Sequence, residues 1–205
     1  MERSANRIGI LGGTFNPVHF GHLVLAQEAW YRFELARVLF VPAAQNPLRE
    51  DDPRDEVSDA HRLAMLKLGC GRDSRFAVDA HDLRRGGQSY MIDTLRRLGR
   101  VHAGSGLVLI LGEDAAVMLD RWRYAAEFHE YCELAVAYRP GGDEDEEQLR
   151  RLFGDLRLRY EFMPIPQLDI SSSDIRQRLK AGKPVRYLCP DTVVEYIHEN
   201  KLYLD

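Results

Sequence analysis

The chain predicts an α/β fold: a doubly wound parallel sheet with a small helical subdomain at the C-terminus. Two observations carry this. Short apolar runs ended by glycine or proline alternate with segments of helical periodicity, and the alternation continues over most of the 205 residues. The apolar runs are also nearly unbroken, as strands covered by helices on both faces must be.

The elements follow in order. Ile8-Gly9-Ile10-Leu11, stopped by Gly12-Gly13, predicts a first strand, and after a turn-rich loop His22 to Leu35 predicts a helix. Val38-Leu39-Phe40-Val41, stopped by Pro42, is a second buried strand, so the three form a parallel crossover unit. A helix from Val57 to Leu68, a strand at Phe76-Ala77-Val78 and a helix from Met91 to Leu98 repeat the pattern. Leu107-Val108-Leu109-Ile110-Leu111 and Leu134-Ala135-Val136-Ala137-Tyr138 are further strands. Gly141 to Glu147 is an acidic turn entering a helix, read as solvated surface rather than a metal site. A last strand spans Tyr160 to Met163, a helix runs from Asp174 to Lys180, and Asp191 to Asn200 closes the chain as a helix. Residues 1–168 are expected to form the core and 169–205 the C-terminal helices of the same single domain.

Composition narrows the class. With 45% hydrophobic and 29% charged residues, the chain can bury a full core. A formal net charge of -4 and a pI near 6.0 exert no general attraction for nucleic acid or anionic membrane. Cys70, Cys132 and Cys189 are scattered and odd in number, which fits reduced thiols. Met1 to Arg7 lack the apolar core of a signal peptide, and a cytoplasmic location is expected.

The residues richest in chemistry are Gly12-Gly13-Thr14-Phe15-Asn16-Pro17-Val18-His19-Phe20-Gly21-His22, between the first strand and the first helix. Ligands of open α/β sheets sit at the carboxyl ends of strands. Paired glycines let backbone approach a phosphate, and a helix start offers unpaired N–H groups. His19 and His22 are spaced so that both imidazoles face one side of the turn. Such a pair also serves as a helix cap with a surface residue, or as two zinc ligands. Zinc wants further ligands nearby, and no Cys or His follows before His61. Near the other end, Ile170-Ser171-Ser172-Ser173-Asp174-Ile175-Arg176 places hydroxyls ahead of a helix with Arg176 one turn in. That set can hold phosphate oxygens, or it can be a serine cap with a surface ion pair.

Together these two segments resemble the H-x-G-H and I-S-S-S/T-x-x-R signatures of the nucleotidylyltransferase superfamily. Arg62 to Leu66, Ser89 to Leu95, Gly112-Glu113-Asp114, Arg121-Trp122 and Arg139-Pro140 fall in the order of its bacterial nicotinate-nucleotide adenylyltransferase branch. The resemblance covers nearly the whole chain and implies a Rossmann-like sheet. It implies transfer of AMP from ATP to nicotinate mononucleotide in NAD synthesis, with Mg²⁺ carried on the ATP phosphates and no protein metal site. Catalytic roles fall on His19, His22 and Arg176. ATP contacts fall on Gly12, Gly13, Thr14, Phe15, Gly112, Asp114, Arg139 and Ile170 to Ser173, and acceptor contacts on Asn16, Arg49, Tyr90, Met91 and Trp122. Trp122 is equally a core or interface residue, Tyr90 a helix-start packer and Asp114 an N-cap. Self-association into a homo-oligomer is compatible with the reading.

The chain departs from that branch on the acceptor side. Asn16 replaces an aspartate, Ala44 and Leu48 stand where asparagine and histidine are usual, and Met91 replaces a threonine. Other acceptors, namely nicotinamide mononucleotide, phosphopantetheine or a sugar or alcohol phosphate, therefore stay open. So does a nucleotide-binding regulator without turnover.

Overall fold

The computed structural model describes residues 6–48, 57–138, 143–166 and 168–204, with the backbone alone at 143–145. Six strands form one sheet: β1 (Arg7–Gly13), β2 (Arg37–Pro42), β3 (Phe76–Val78), β4 (Gly106–Leu111), β5 (Cys132–Tyr138) and β6 (Tyr160–Pro164). Their order is β3-β2-β1-β4-β5-β6 and every neighbouring pair is parallel. This is the doubly wound parallel sheet that the apolar runs anticipate, and its order is Rossmann-like, as the resemblance implies.

Successive side chains on a strand point to opposite faces, and the burial divides accordingly. On one face Leu11, Val38, Phe40, Val108 and Ile110 pack with Ala26 and Ala29 of helix α1 (Phe20–Arg32) and Met65 and Leu66 of α2 (Asp59–Cys70). On the other, Ile10, Leu39, Val41, Leu109 and Leu111 pack under Ile92 and Leu95 of α4 (Met91–Val101) and Phe153 of α6 (Asp143–Asp155). Each fully buried side chain of this size contributes about 1.5–3 kcal/mol. Two-sided covering is why the strands lack polar alternation.

Ile175 and Leu179 of α7 (Ser172–Lys180) and Val193 and Ile197 of α8 (Asp191–Glu199) join the first face. Thr192 Oγ1 donates to the Leu68 carbonyl at 3.3 Å, fixing α8 beside α2. All three cysteines are buried and free of disulfides, and burial pushes each thiol up to about 12.

Several boundaries differ from the sequence expectation. The first helix ends at Arg32 rather than Leu35, because Glu34 turns left-handed (φ 51°) and the Leu35 N–H returns to the Trp30 carbonyl at 3.1 Å. It begins at Phe20, so His22 lies inside the first turn. Helix α7 starts at Ser172 rather than Asp174, with Ser171 as its cap. The short helices α3 (His81–Arg85) and α5 (Glu113–Ala116), and the 3₁₀ turns Leu119–Arg121 and Ala125–Glu130, are too brief to show helical periodicity. Gly141 and Gly142 of the acidic turn lie outside the described residues.

Candidate functional site

The strand order reverses between β1 and β4, and loops leaving their carboxyl ends diverge there to leave a crevice. The loop after β1 carries Thr14 to His19. Strand β4 delivers Gly112 as the N-cap of α5, with Asp114 exposed in its first turn. Asp114 is thus not the cap itself, and it follows directly on the carboxyl end of β4.

The loop is tightly built. Phe15 is buried with a left-handed backbone (φ 51°). Its ring lies so close that a Cβ on Gly13 would come 3.0 Å from it, which is why glycine stands there. His19 caps α1 and His22 follows as its third residue, with Nδ1 accepting from the His19 backbone N–H at 3.3 Å. The two imidazole centroids are 3.7 Å apart, and His22 meets Phe15 edge-on at 5.0 Å. Gly21 makes this stack fit: a Cβ there would be 3.0 Å from His19 Nδ1 and 3.5 Å from the Ile170 carbonyl oxygen. The H-x-G-H spacing therefore brings both rings together, and the bare Gly21 lets the Ile170 backbone of the second segment come close to the helix start.

That second segment is bonded to the first. Arg176 is buried, and its Nη1 donates to the Asn16 carbonyl at 2.9 Å while Nη2 reaches Ser173 Oγ at 3.4 Å. The picture of Arg176 in a surface ion pair is corrected by this burial. Ser172 Oγ donates to the Pro17 carbonyl at 2.9 Å, so this hydroxyl ties α7 to the loop. Ser171 Oγ accepts the Asp174 N–H at 3.0 Å as an ordinary cap. Asn16 is buried too, and its Oδ1 accepts from the Tyr203 hydroxyl near the C-terminus.

The acceptor-side segments meet the same rim. A Cβ on Gly12 would lie 2.5 Å from Met91 Cε, which puts Met91 directly against the end of β1. Tyr90 caps α4, and its hydroxyl donates to Gln88 Oε1. Ser89 Oγ accepts from the Ala44 N–H at 2.9 Å, and the Ser89 N–H donates to the Gln45 carbonyl at 2.9 Å, so the segment lacking the usual asparagine is held through its backbone. Trp122 is half-buried with its ring edge-to-face on Phe128 at 6.2 Å, so it is part packing residue and part exposed face. Arg49 and Arg139 lie outside the described residues.

Three residues without a role assigned from the sequence hold or border this arrangement. Buried Arg62 donates to the Thr14 carbonyl at 2.8 Å and to the Ala44 carbonyl at 3.3 Å, joining the loops after β1 and β2. In the sequence Arg62 is only one member of an ordered set of segments. Tyr203 and Arg123 carry no local pattern that would mark them.

Burial of His19 pushes its imidazole down to about 4, so it is neutral at neutral pH. Its Nδ1 and Thr14 Oγ1 are buried and meet no protein partner among the described residues, the kind of unsatisfied group that gathers at sites. The linkage sign follows. As pH falls below about 6.5 the unfolded chain protonates this histidine while the folded chain resists until about 4, so stability is lost across that window. At about 1.4 kcal/mol per unit the loss approaches ~3 kcal/mol. Urea titrations of the unaltered chain and His19→Asn should diverge in slope between these pH values, and parallel curves would refute the buried neutral ring.

Among the described residues, no three His, Cys, Asp or Glu side chains gather as a metal cage, and no helix is long and apolar enough to cross a membrane.

The chain matches the cytidylyltransferase-like family model over residues 10–178. It is 40% identical over 199 residues, covering 97% of this chain and 98% of the relative, to a protein of Herpetosiphon aurantiacus named "Probable nicotinate-nucleotide adenylyltransferase". It is 41% identical over 200 residues to one of the same name from Roseiflexus sp., covering 98% and 99% of the two chains. In fold it is similar to the Plasmodium falciparum nicotinic acid mononucleotide adenylyltransferase complexed with NaAD, with a TM-score of 0.75, 21% identity and 97% of each chain covered. Full-length relatives at this identity, on a chain whose two signature segments are bonded to each other, mean that it belongs to the cytidylyltransferase-like family and, within it, to the nicotinate-nucleotide adenylyltransferases.

Proposed function

We propose that this chain is a cytoplasmic nicotinate-nucleotide adenylyltransferase, which transfers AMP from ATP to nicotinate mononucleotide and releases pyrophosphate. The observation that carries the site is the union of segments far apart in sequence: Arg176 and Ser172 bonded to the loop that presents His19 and His22.

Mg²⁺ bound with ATP would neutralise triphosphate charge, and a magnesium ion on phosphates would need no all-protein cage. The acceptor's 5′-phosphate oxygen attacks the α-phosphorus in line. A new P–O bond forms as the bond to the β-phosphate oxygen breaks, and the electron pair leaves with pyrophosphate. The nucleophile is already an anion, so the protein's work is alignment and stabilisation of charge on the transferring and leaving groups. His19 and His22 supply N–H donors from one side of the crevice. Arg176 and the cap of α7 supply a fixed cation and free N–H groups from the other.

Gly12, Gly13, Thr14, Phe15 and Ile170 shape the wall near the triphosphate. Gly112 and Asp114, after β4, suit the adenosine, with the carboxylate on ribose hydroxyls. Arg139 completes the ATP set. Asn16, Tyr90, Met91 and Trp122 border the pyridine side, and Arg49 takes the acceptor phosphate. Burial gives His19 a specific part: as a neutral ring it donates a hydrogen bond without repelling Arg176.

Incubation with ATP, Mg²⁺ and each candidate acceptor tests the activity by pyrophosphate release. Release with nicotinate mononucleotide far above that with the amide is the expected result. Tight ATP binding with no release from any acceptor would overturn turnover, and release with phosphopantetheine alone would overturn the acceptor.

A further inference from the structure

The stretch from Thr14 to Pro17, which leads into His19, is held from three helices. Arg62 of α2 bonds the Thr14 carbonyl at 2.8 Å, and Arg176 and Ser172 of α7 bond the Asn16 and Pro17 carbonyls at 2.9 Å each. Those bonds grip backbone. The Tyr203 hydroxyl, just beyond α8, instead grips a side chain: it donates to Asn16 Oδ1, and both residues are buried.

The chain after α8 is bent to deliver that hydroxyl. The Lys201 N–H returns to the His198 carbonyl at 3.2 Å and the Leu202 N–H to the Ile197 carbonyl at 3.0 Å, with Lys201 left-handed (φ 51°). Glycine is the usual residue at the turning point of such a helix end. Leu202 is thereby laid back into the core that Ile197 occupies, and Tyr203 follows it, again left-handed (φ 61°). A bulky residue rarely takes that conformation, and it persists only where the surroundings over-determine it. Here the ring belongs to the same buried cluster as Phe15 and Val18, and the hydroxyl is bonded to Asn16.

We propose that Tyr203 is a positioning residue for the reaction: through Asn16 its hydroxyl fixes the turn that leads into His19 and His22, an inference resting on the adenylyl transfer proposed above. Asn16 is shared, because Arg176 holds its carbonyl while Tyr203 holds its amide oxygen. A buried acceptor stripped of its donor must find another. Without the phenol, Oδ1 competes for donors already committed, and Arg176 is bonded to the same residue. The loop and the guanidinium then shift together, and the groups proposed to face the α-phosphate lose their common alignment.

Steady-state pyrophosphate release from the full chain, Tyr203→Phe and Tyr196→Phe tests this. Phenylalanine keeps each ring and removes one hydroxyl. Tyr196 is the control: it lies in α8, and its hydroxyl sits 2.9 Å from His61 Nδ1 of α2 rather than on the signature loop. Both variants should unfold at a slightly lower temperature. Below that temperature Tyr203→Phe should lower kcat about tenfold, part of the ~10² that a misplacement of about 1 Å costs, with KM for ATP and acceptor changing much less. Tyr196→Phe should leave kcat unchanged. An unchanged kcat in Tyr203→Phe, or an equal loss in Tyr196→Phe, overturns this inference and leaves the activity standing. No pyrophosphate from the unaltered chain with any acceptor overturns the activity and the inference with it.

Discussion

His22→Ala should lower turnover by ~10² or more, the scale of losing one positioned donor at the transition state. The expectation rests on the exposure and the position of His22. It is half-exposed, at the third position of α1, where alanine is a better helix former than histidine. Its Nδ1 accepts the His19 N–H at 3.3 Å, a long bond whose loss costs little beside the folding free energy. Its ring stacks 3.7 Å from that of His19, at the loop that leaves the carboxyl end of β1. Alanine should leave the melting temperature nearly unchanged while pyrophosphate release collapses. A folded variant with unchanged turnover would remove His22 from the mechanism.

The second large effect is expected at Arg176, and it should appear in two measurements. Arg176→Ala removes a buried cation bonded to the Asn16 carbonyl at 2.9 Å, which leaves that acceptor without the bond and opens a gap beneath the loop. Bonds to charged groups contribute about 1.5–3 kcal/mol each, so thermal unfolding should shift down by several degrees. On the proposed role of Arg176 at the ATP phosphates, the ATP concentration needed for half-maximal pyrophosphate release should also rise about tenfold or more. Arg176→Lys tests the division: it keeps the charge and loses the planar fork. A lowered melting temperature with an unaltered ATP requirement would make Arg176 a structural clasp only.

The fold was legible because its signal is local and periodic. Strands such as Val38 to Val41 and Leu107 to Leu111 are apolar throughout since helices cover both faces, and glycine or proline ends them. Boundaries slipped where a single backbone torsion decides the outcome, as at Glu34. The brief elements α3 and α5 offer too few residues for any period to emerge. In the candidate site, the pairing of His19 with His22 was legible for the same reason: three residues on a helix start bring side chains to one face.

What the sequence determined by itself was the α/β class, the two signature segments and the kinship that the relatives bear out. Tertiary structure alone decided that Arg176 is a buried clasp on Asn16 rather than a surface charge, and that Ser172 is engaged with Pro17. It alone decided that burial makes His19 neutral, and that Arg62 and Tyr203 hold the loop. The physical reason is separation along the chain. Periodicity reports which face of an element is buried, but partners more than a hundred residues apart, as Tyr203 is from Asn16, are chosen by how packed elements present their ends. The H-x-G-H loop is thus written locally, while its charge state and its rigidity are set by segments that meet it only after folding.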